Sequence, residues 1–326
     1  MNLNTKKILI TGGSGFIGTH LIEYYQTKGN FTIINLDINK PKLFNQNKFW
    51  VKCDILNKVQ LNNYIIKFSP QYIIHLAAET DVNGKDLDYY KANTIGVENL
   101  LEAVKSVDCV ERLIITSTQY VNQFHGIPKD DNDYFPLGLY GQSKVITEQL
   151  TRSANLNCSW CIIRPTTIWG PWHNIYPEGL WKQILKGRYF HPGAQKVIRS
   201  YGYVKNVVYQ IDKLLSADYS MINGKVFYVG DEPIDLYEWV NNFSIVITGK
   251  SVRVAPRILL RLIALLGDVI RKLGINFPMY SSRYKNMVSS NPCDMEKTFR
   301  ITGKGPVDLL TGIKKTVDWY LNTYKK

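Results

Sequence analysis

The sequence has no uninterrupted apolar run of the about 20 residues needed to cross a bilayer. Its greasiest stretch, ILLRLIALLGDVIRKL at 258–273, is broken by Arg261, Asp268 and Arg271. Within it Leu259, Leu262, Ile263, Leu266, Ile270 and Leu273 recur at helical spacing. An amphipathic helix is therefore expected, packed on a domain or touching a membrane surface peripherally. The opening residues MNLNTKKILI lack the apolar core and small-residue cleavage site of a secretory signal, so none is expected there. Cysteine is scarce. Cys53, Cys109, Cys158, Cys161 and Cys293 are an odd number without framework spacing, which predicts reduced thiols and a cytoplasmic location. Cys158-Ser-Trp-Cys161 has no second pair to complete a zinc site and runs into an apolar segment, so it reads as a strand, and no metal is expected. Repeats and low-complexity tracts are absent too. The formal net charge is +13, but Lys and Arg are spread along the chain without a dense basic block interleaved with aromatics. Nucleic acid is therefore not an expected partner, and a basic surface holding an anionic substrate fits the charge equally well.

What is present is ample apolar material, 45% of residues against 21% charged, enough for a sizeable core. The first half alternates strand-like and helix-like segments. Short apolar runs stand at Lys7–Thr11, Phe31–Asp37, Gln71–Leu76, Arg112–Thr116 and Ser159–Arg164. Helical patterns fall between them, at Phe16–Thr27 and at Tyr89–Val107, where Leu100, Leu101 and Val104 share a face. Strands apolar on both faces and alternating with helices predict an α/β fold with a parallel sheet covered on each side. Beyond about Pro165 the pattern loosens, with more Trp, Pro and Gly. A division follows: residues 1–165 as one sheet-bearing domain, and 166–326 as mainly a smaller region expected to receive the substrate, some of whose segments return to the first domain.

Ile10 to Gly18 reads ITGGSGFIG. Gly13, Gly15 and Gly18 give G-x-G-x-x-G, and Gly12, Gly15 and Gly18 give G-x-x-G-x-x-G. On either reading glycines allow a tight turn and a close approach of backbone to a pyrophosphate, at the positive N-terminus of a helix beginning near Phe16 and Ile17. Asp37 ends the next strand about 20 residues on, where a carboxylate accepts hydrogen bonds from a ribose diol. It would repel a 2′-phosphate, so NAD is expected rather than NADP, with Lys40 and Lys42 the nearby residues that oppose this preference. Farther on, Tyr140 and Lys144 stand four apart on a helix and so share a face. An ammonium beside a phenol is expected to lower the phenol pKa and equip it for acid–base work. The strand Arg112–Thr116 runs into further hydroxyls, Ser117 and Thr118.

Together these motifs resemble, over nearly the whole chain, the extended short-chain dehydrogenases/reductases, a family of nucleotide-sugar epimerases, dehydratases and reductases. T-G-x-x-G-x-x-G is Thr11 to Gly18; Asp54-Ile55 resembles the pair that touches adenine; His75-Leu76-Ala77-Ala78 resembles the strand end beside the cofactor. Asn93 sits in a segment like the family's Asn-containing helix, and Arg164-Pro165 with Trp169-Gly170-Pro171 follows Tyr140-x-x-x-Lys144. Arg199 in RSYGYVKNV matches the arginine that binds a nucleotide-sugar phosphate, and Asp294 and Lys297 match a late D-x-x-K.

The resemblance implies a Rossmann-type doubly wound sheet, bound NAD and a homodimer through the helices carrying Asn93 and Tyr140. It also implies a place in polysaccharide biosynthesis. Gly12, Gly15, Phe16, Ile17, Gly18, Asp37, Asp54, Ile55, Leu76, Ala77, Ala78, Asn93, Tyr140, Lys144 and Pro165 would then hold the cofactor. Thr118, Tyr140 and Lys144 would carry the chemistry, with Thr118, Gln119 and Arg199 on the substrate.

The family's 4,6-dehydratases follow the reacting hydroxyl with Asp-Glu; here Gln119 and Tyr120 stand instead. Neither is a carboxylate base near neutral pH, since a phenol's ordinary pKa is about 10. Elimination is disfavoured, and the expected reaction is epimerisation of a nucleotide sugar by transient oxidation of a hydroxyl. The alternatives are a reductase or dehydrogenase of a keto-deoxy nucleotide sugar and, third, a steroid- or lipid-type alcohol dehydrogenase. Two departures mark an unusual branch: Asn122-Gln123 in place of Tyr-Gly, and Val204-Lys205-Asn206 in place of V-x-D. Trp169, Trp172, His173, Trp181, Phe190 and His191 are candidates to line the substrate pocket, both histidines being read first as structural.

Overall fold

The computed structural model describes residues 5–122, 128–173, 176–193 and 195–324. The chain forms two compact units. The first takes in residues up to Ile168 together with Val204–Asp231 and Asp294–Pro306; the second takes in Trp169–Tyr203, Glu232–Cys293 and the segment from Val307 onward.

Among the described residues the first unit carries a seven-stranded parallel sheet. Its strands are β1 (Lys6–Thr11), β2 (Phe31–Asp37), β3 (Trp50–Lys52), β4 (Tyr72–His75), β5 (Arg112–Thr116), β6 (Ser159–Pro165) and β7 (Lys225–Val229). Their order is β7-β6-β5-β4-β1-β2-β3. Ile8 lies between Ile33 of β2 and Tyr72 of β4, which fixes the central register. The chain winds outward from β1 in both directions, as in a Rossmann-type sheet, and leaves a crevice at the carboxyl ends of β1 and β4.

Helices α1 (Phe16–Lys28), α2 (Lys58–Phe68), α3 (Ile95–Lys105), α4 (Gly138–Ser153) and α5 (Val204–Ser216) belong to this unit. Leu9, Leu36, Ile73, Leu113 and Ile162 from the strands meet Leu61, Ile65, Leu100 and Val104 from α2 and α3 in one buried cluster. This is why the strands read as unbroken apolar runs. Cys161 lies in this sheet, and burial pushes its thiol up to about 12 and that of Cys158 to about 11.

The segment expected as one helix over Tyr89–Val107 is instead a 3-10 turn, Asp88–Asn93, followed by α3. The break is physical. Asn93 turns its side chain inward to hold the backbone of Glu79, and Gly96 lets α3 close on Ile55, where a Cβ would lie 2.6 Å from the Ile55 Cδ1.

The second unit is built on aromatic packing. Trp239 of α6 (Leu236–Thr248) stacks on Tyr201 at 4.2 Å, and Phe243 stacks on Trp181 at 5.5 Å. Trp169 meets Tyr203 at 4.9 Å. Trp169 and Trp181 are wholly buried here, so they build this core rather than line a pocket. His191 is buried as well, its Nδ1 hydrogen-bonded to the Tyr189 hydroxyl at 3.2 Å, and its place is structural. Phe190 is exposed on the strand Phe190–Pro192, Trp172 meets Trp319 at 5.7 Å, and the His173 Nδ1 accepts from the backbone of Tyr176.

The expected amphipathic helix is α7 (Arg257–Lys272), followed by α8 (Ser281–Val288), with α9 (Leu309–Tyr324) closing the chain. The face of α7 that it buries carries Leu260, Ala264 and Gly267. Its apolar leucines largely lie elsewhere, exposed. No helix among the described residues is long and apolar enough to cross a membrane.

Candidate active site

The glycine loop leaves β1 in a left-handed step at Gly12, φ 71°, whose N–H donates to the Leu36 carbonyl at 2.8 Å. A Cβ on Gly12 would lie 2.5 Å from the Ala77 nitrogen, and one on Gly18 would lie 2.5 Å from the Gly13 Cα. Only glycine fits at either place. Gly15 caps α1 without any side-chain hydrogen bond, so no side chain of the cap competes for the first-turn N–H groups. Gly15 itself is exposed, with Phe16 and Ile17 half-buried behind it.

Asp37 ends β2 facing this loop, accepting from the Ser14 N–H at 3.0 Å and the Asn39 N–H at 2.8 Å. Burial raises its carboxyl pKa above the ordinary value, and those backbone donors hold it back. A glycine cradle, an open helix N-terminus and a carboxylate at the next strand end together fit an adenine dinucleotide with a free ribose diol. Asp54 is exposed and folds back on the Leu56 N–H at 2.9 Å, while Ile55 is buried beneath Gly96. Leu76, Ala77 and Ala78 leave β4 half-buried, and the Leu76 N–H donates to the Thr11 carbonyl at 3.0 Å.

Beside them His75 is wholly buried, its Nδ1 2.7 Å from the Thr11 hydroxyl. Burial, reinforced by the charge of Lys144, pushes its pKa down to about 3, so the ring is neutral.

Thr118 follows β5 and opens a single 3-10 turn over Gln119–Val121, its hydroxyl oxygen accepting from the Tyr120 N–H at 3.3 Å. On α4 the spacing of Tyr140 and Lys144 puts both buried side chains on one face. Burial raises the Tyr140 pKa well above its usual value, while a hydrogen bond with Thr118 pulls the other way. The contact that lowers the phenol pKa in this structure is the hydrogen bond with Thr118. Lys144 is brought down to about 8 by burial, with Glu148 opposing. The Tyr120 ring stands edge-on to Tyr140 at 6.1 Å, and Gln119 is turned away to donate to the Thr167 hydroxyl at 2.9 Å. Of the departures at this strand end, Asn122 donates to the Asp133 carbonyl at 2.7 Å; Gln123 lies outside the described residues.

Asn93 is wholly buried and its side-chain bonds go to protein: to the Glu79 backbone and, at 2.9 Å, to the Ser143 hydroxyl on α4. It therefore sets the position of α4. Pro165 ends β6, where the following Thr166 N–H reaches the Val229 carbonyl of β7 at 3.0 Å.

Sequence reasoning missed Glu148. This buried carboxylate, one turn beyond Lys144, takes two hydrogen bonds from Arg164 at 2.8 Å, one from Ser117 at 2.6 Å and one from Tyr134 at 2.9 Å. It locks α4 to the ends of β5 and β6. The readable signal was the four-residue repeat Tyr140, Lys144, Glu148 along one helix face. Asn206, where the family pattern has aspartate, donates to Asp231 at 2.8 Å. Lys297 pairs with Asp131 at 2.8 Å, while Asp294 caps its own turn through the Glu296 N–H. Arg199 lies in the second unit, donating to the Asn286 carbonyl.

Comparisons with known proteins fall in line with this geometry. Over its full length the chain is 28% identical, across 332 residues covering 98% of it and 96% of the relative, to an N-acetyl-alpha-D-glucosaminyl-diphospho-ditrans,octacis-undecaprenol 4-epimerase of Escherichia coli O157:H7. Its fold is that of a UDP-glucose 4-epimerase from Thermotoga maritima solved with UDP-glucose, with a TM-score of 0.74, 22% identity and coverage of 97% and 99% of the two chains. A UDP-glucuronic acid 4-epimerase from Bacillus cereus, solved with UDP-glucuronic acid and NAD, matches with a TM-score of 0.73, 23% identity and coverage of 98% and 100%. Residues 8–230 match the model of the NAD dependent epimerase/dehydratase family, and the chain belongs to that family.

Proposed function

We propose that the protein is a nucleotide-sugar epimerase that oxidises a sugar hydroxyl and reduces the resulting ketone from the other side. The observation that carries this reading is the buried group Thr118, Tyr140 and Lys144, with Gln119 and Tyr120 where an eliminating enzyme needs carboxylates. The glycine loop and Asp37 would hold NAD, which when bound would supply a reversible acceptor for the hydride of the carbinol carbon. Tyr140 takes the proton from the hydroxyl oxygen and returns it after the sugar has changed configuration. Thr118 fixes that oxygen by a hydrogen bond, and Lys144, on the same helix face and brought down to about 8 by burial, places its ammonium where it favours the phenolate. Asn93 and Glu148 hold α4 in place.

In this reading the first unit binds the cofactor, through Asp54, Ile55 and Pro165 as well as the loop. The second receives the nucleotide, with Arg199 on its diphosphate. The working form is a homodimer through α3 and α4, an arrangement supported by the exposure of Ile95 and of Leu137 at the start of α4. Its place is the cytoplasm, where the five unbridged thiols stay reduced. A sugar carried on a lipid diphosphate, as named for the Escherichia coli relative, is a second reading that the exposed leucines of α7 favour.

The deciding experiment incubates the protein with UDP-hexoses deuterated at the carbon to be inverted. The reading requires a new epimer that keeps its deuterium, with no net NADH. A dehydrated 4-keto-6-deoxy product would overturn it, and stoichiometric cofactor consumption would make the protein a reductase.

A further inference from the structure

We infer that α7 is a membrane-docking element that lies flat on an anionic lipid surface. At about 100° per residue, its apolar side chains fall into two arcs around the helix axis, with Arg271 reaching out to solvent from the buried side. Leu260, Ala264 and Gly267 form one arc and are buried in the second unit. Gly267 is pressed so close to the Met279 carbonyl that any Cβ there would collide, and Asp268 accepts from the Ser281 N–H at 3.0 Å, so this side is firmly seated. The opposite arc, about 120° wide, holds Ile258, Leu262, Leu265, Leu266, Val269 and Leu273, with Leu259 at its edge. Here Ile258 is 72%, Leu266 63% and Leu273 73% exposed. A helix on a water-facing surface places polar residues outward. This one places its apolar side outward, and its buried side is taken up by small residues and one leucine.

The flank of the exposed arc decides which partner fits. Arg261 and Lys272 border it and are themselves exposed. Between Ser251 and Ser290 seven basic residues stand against the single acid Asp268, whose carboxylate is already held by Ser281. The apolar arc continues past the helix end to Ile275, also exposed. A leucine stripe edged by cations complements the interface of a bilayer, where acyl chains lie beneath phosphate headgroups. Sixteen residues of helix span about 24 Å, short of the about 30 Å hydrocarbon thickness, and the flanking cations forbid burial of the whole cylinder. The helix therefore lies in the interface plane. This inference stands independently of the sugar the active site turns over.

Flotation of the full chain with extruded vesicles tests it. The protein should rise with vesicles of phosphatidylcholine mixed with phosphatidylglycerol, less with phosphatidylcholine alone, and less again at high salt. Leu262→Glu with Leu266→Glu should reduce partitioning by about tenfold or more. Because both residues are exposed, the melting temperature should be unchanged. Arg261→Ala with Lys272→Ala should weaken binding to the anionic vesicles several-fold and leave the weaker binding to neutral ones as it was. No flotation on either vesicle would overturn the inference, as would a Leu262→Glu/Leu266→Glu chain that floats like its parent. A parent that fails to float but forms a dimer broken by these two substitutions would assign the face to a second copy of this chain and equally overturn it.

Discussion

Tyr140 is buried, which raises its pKa, and the hydrogen bond with Thr118 opposes that rise, easing formation of the phenolate that takes the substrate proton. Tyr140→Phe keeps the ring in the space between Tyr90 and Tyr120 but has no proton to exchange. Turnover should fall about 10²-fold or more, with NAD binding unchanged by calorimetry. Glu148 is a different kind of residue. Replacing it with Gln leaves the Arg164 guanidinium buried without its charge partner, so a loss of about 3–5 kcal/mol in urea unfolding is expected. His75 makes stability pH-dependent. Its folded pKa near 3 lies below the ordinary 6.5, so between these values the unfolded chain binds a proton that the folded one refuses. Its stabilising contribution is complete above about pH 6.5 and is lost as pH falls toward 3, with a slope up to about 1.4 kcal/mol per pH unit. His75→Asn should flatten that slope in urea midpoints measured across the range. The residues legible in the sequence, Gly12, Asp37, Thr118, Tyr140 and Lys144, each sit in a short local pattern: a glycine loop, a strand end or a helix face. Glu148 offered only its place in the four-residue repeat with Tyr140 and Lys144, and the roles of Ser117, Asp131 and Asp231 had no local signal, because their partners lie on other elements and meet them only through the fold.

Among elements, the turn from β1 to α1 combines a left-handed glycine with two collisions that any side chain would make. Gly12→Ala should cost at least about 1–2 kcal/mol by thermal melting and should abolish NAD binding, since the loop must move to relieve it. At the end of β2, Asp37 should favour NAD over NADP by about tenfold or more, roughly 1.4 kcal/mol. Equal affinities by calorimetry would remove the carboxylate from that role. The apolar strands β1, β2, β4, β5 and β6 were readable because a strand buried on both faces has almost no polar interruption. Strand β3 was not, being three residues long, and β7 arrives after the pattern has loosened, with KVFYV offering little context. The single helix read over Tyr89–Val107 failed at Asn93, whose inward amide ends one turn and places the next; periodicity alone carries no trace of that bond.

At the scale of the whole molecule, Arg199→Ala should raise KM for a nucleotide sugar strongly while changing kcat less, because a diphosphate contact is made in the ground state as well. An unchanged KM in steady-state kinetics would point to a substrate without that group. The division of the chain has its own consequence, for synthesis. The first unit is assembled from three separate stretches, and its last strand, β7, is translated only after the whole of Trp169–Tyr203. Thr298, which donates to the Tyr228 carbonyl of β7, and Lys297, which pairs with Asp131, come later still. As a ribosome adds about 5–20 residues each second, the nascent sheet waits several seconds with its β6 edge open before β7 emerges. A chain terminated after Cys293 would lose more than the end of its second unit, for the nucleotide-binding sheet would be released without Lys297 and Thr298 to pin it.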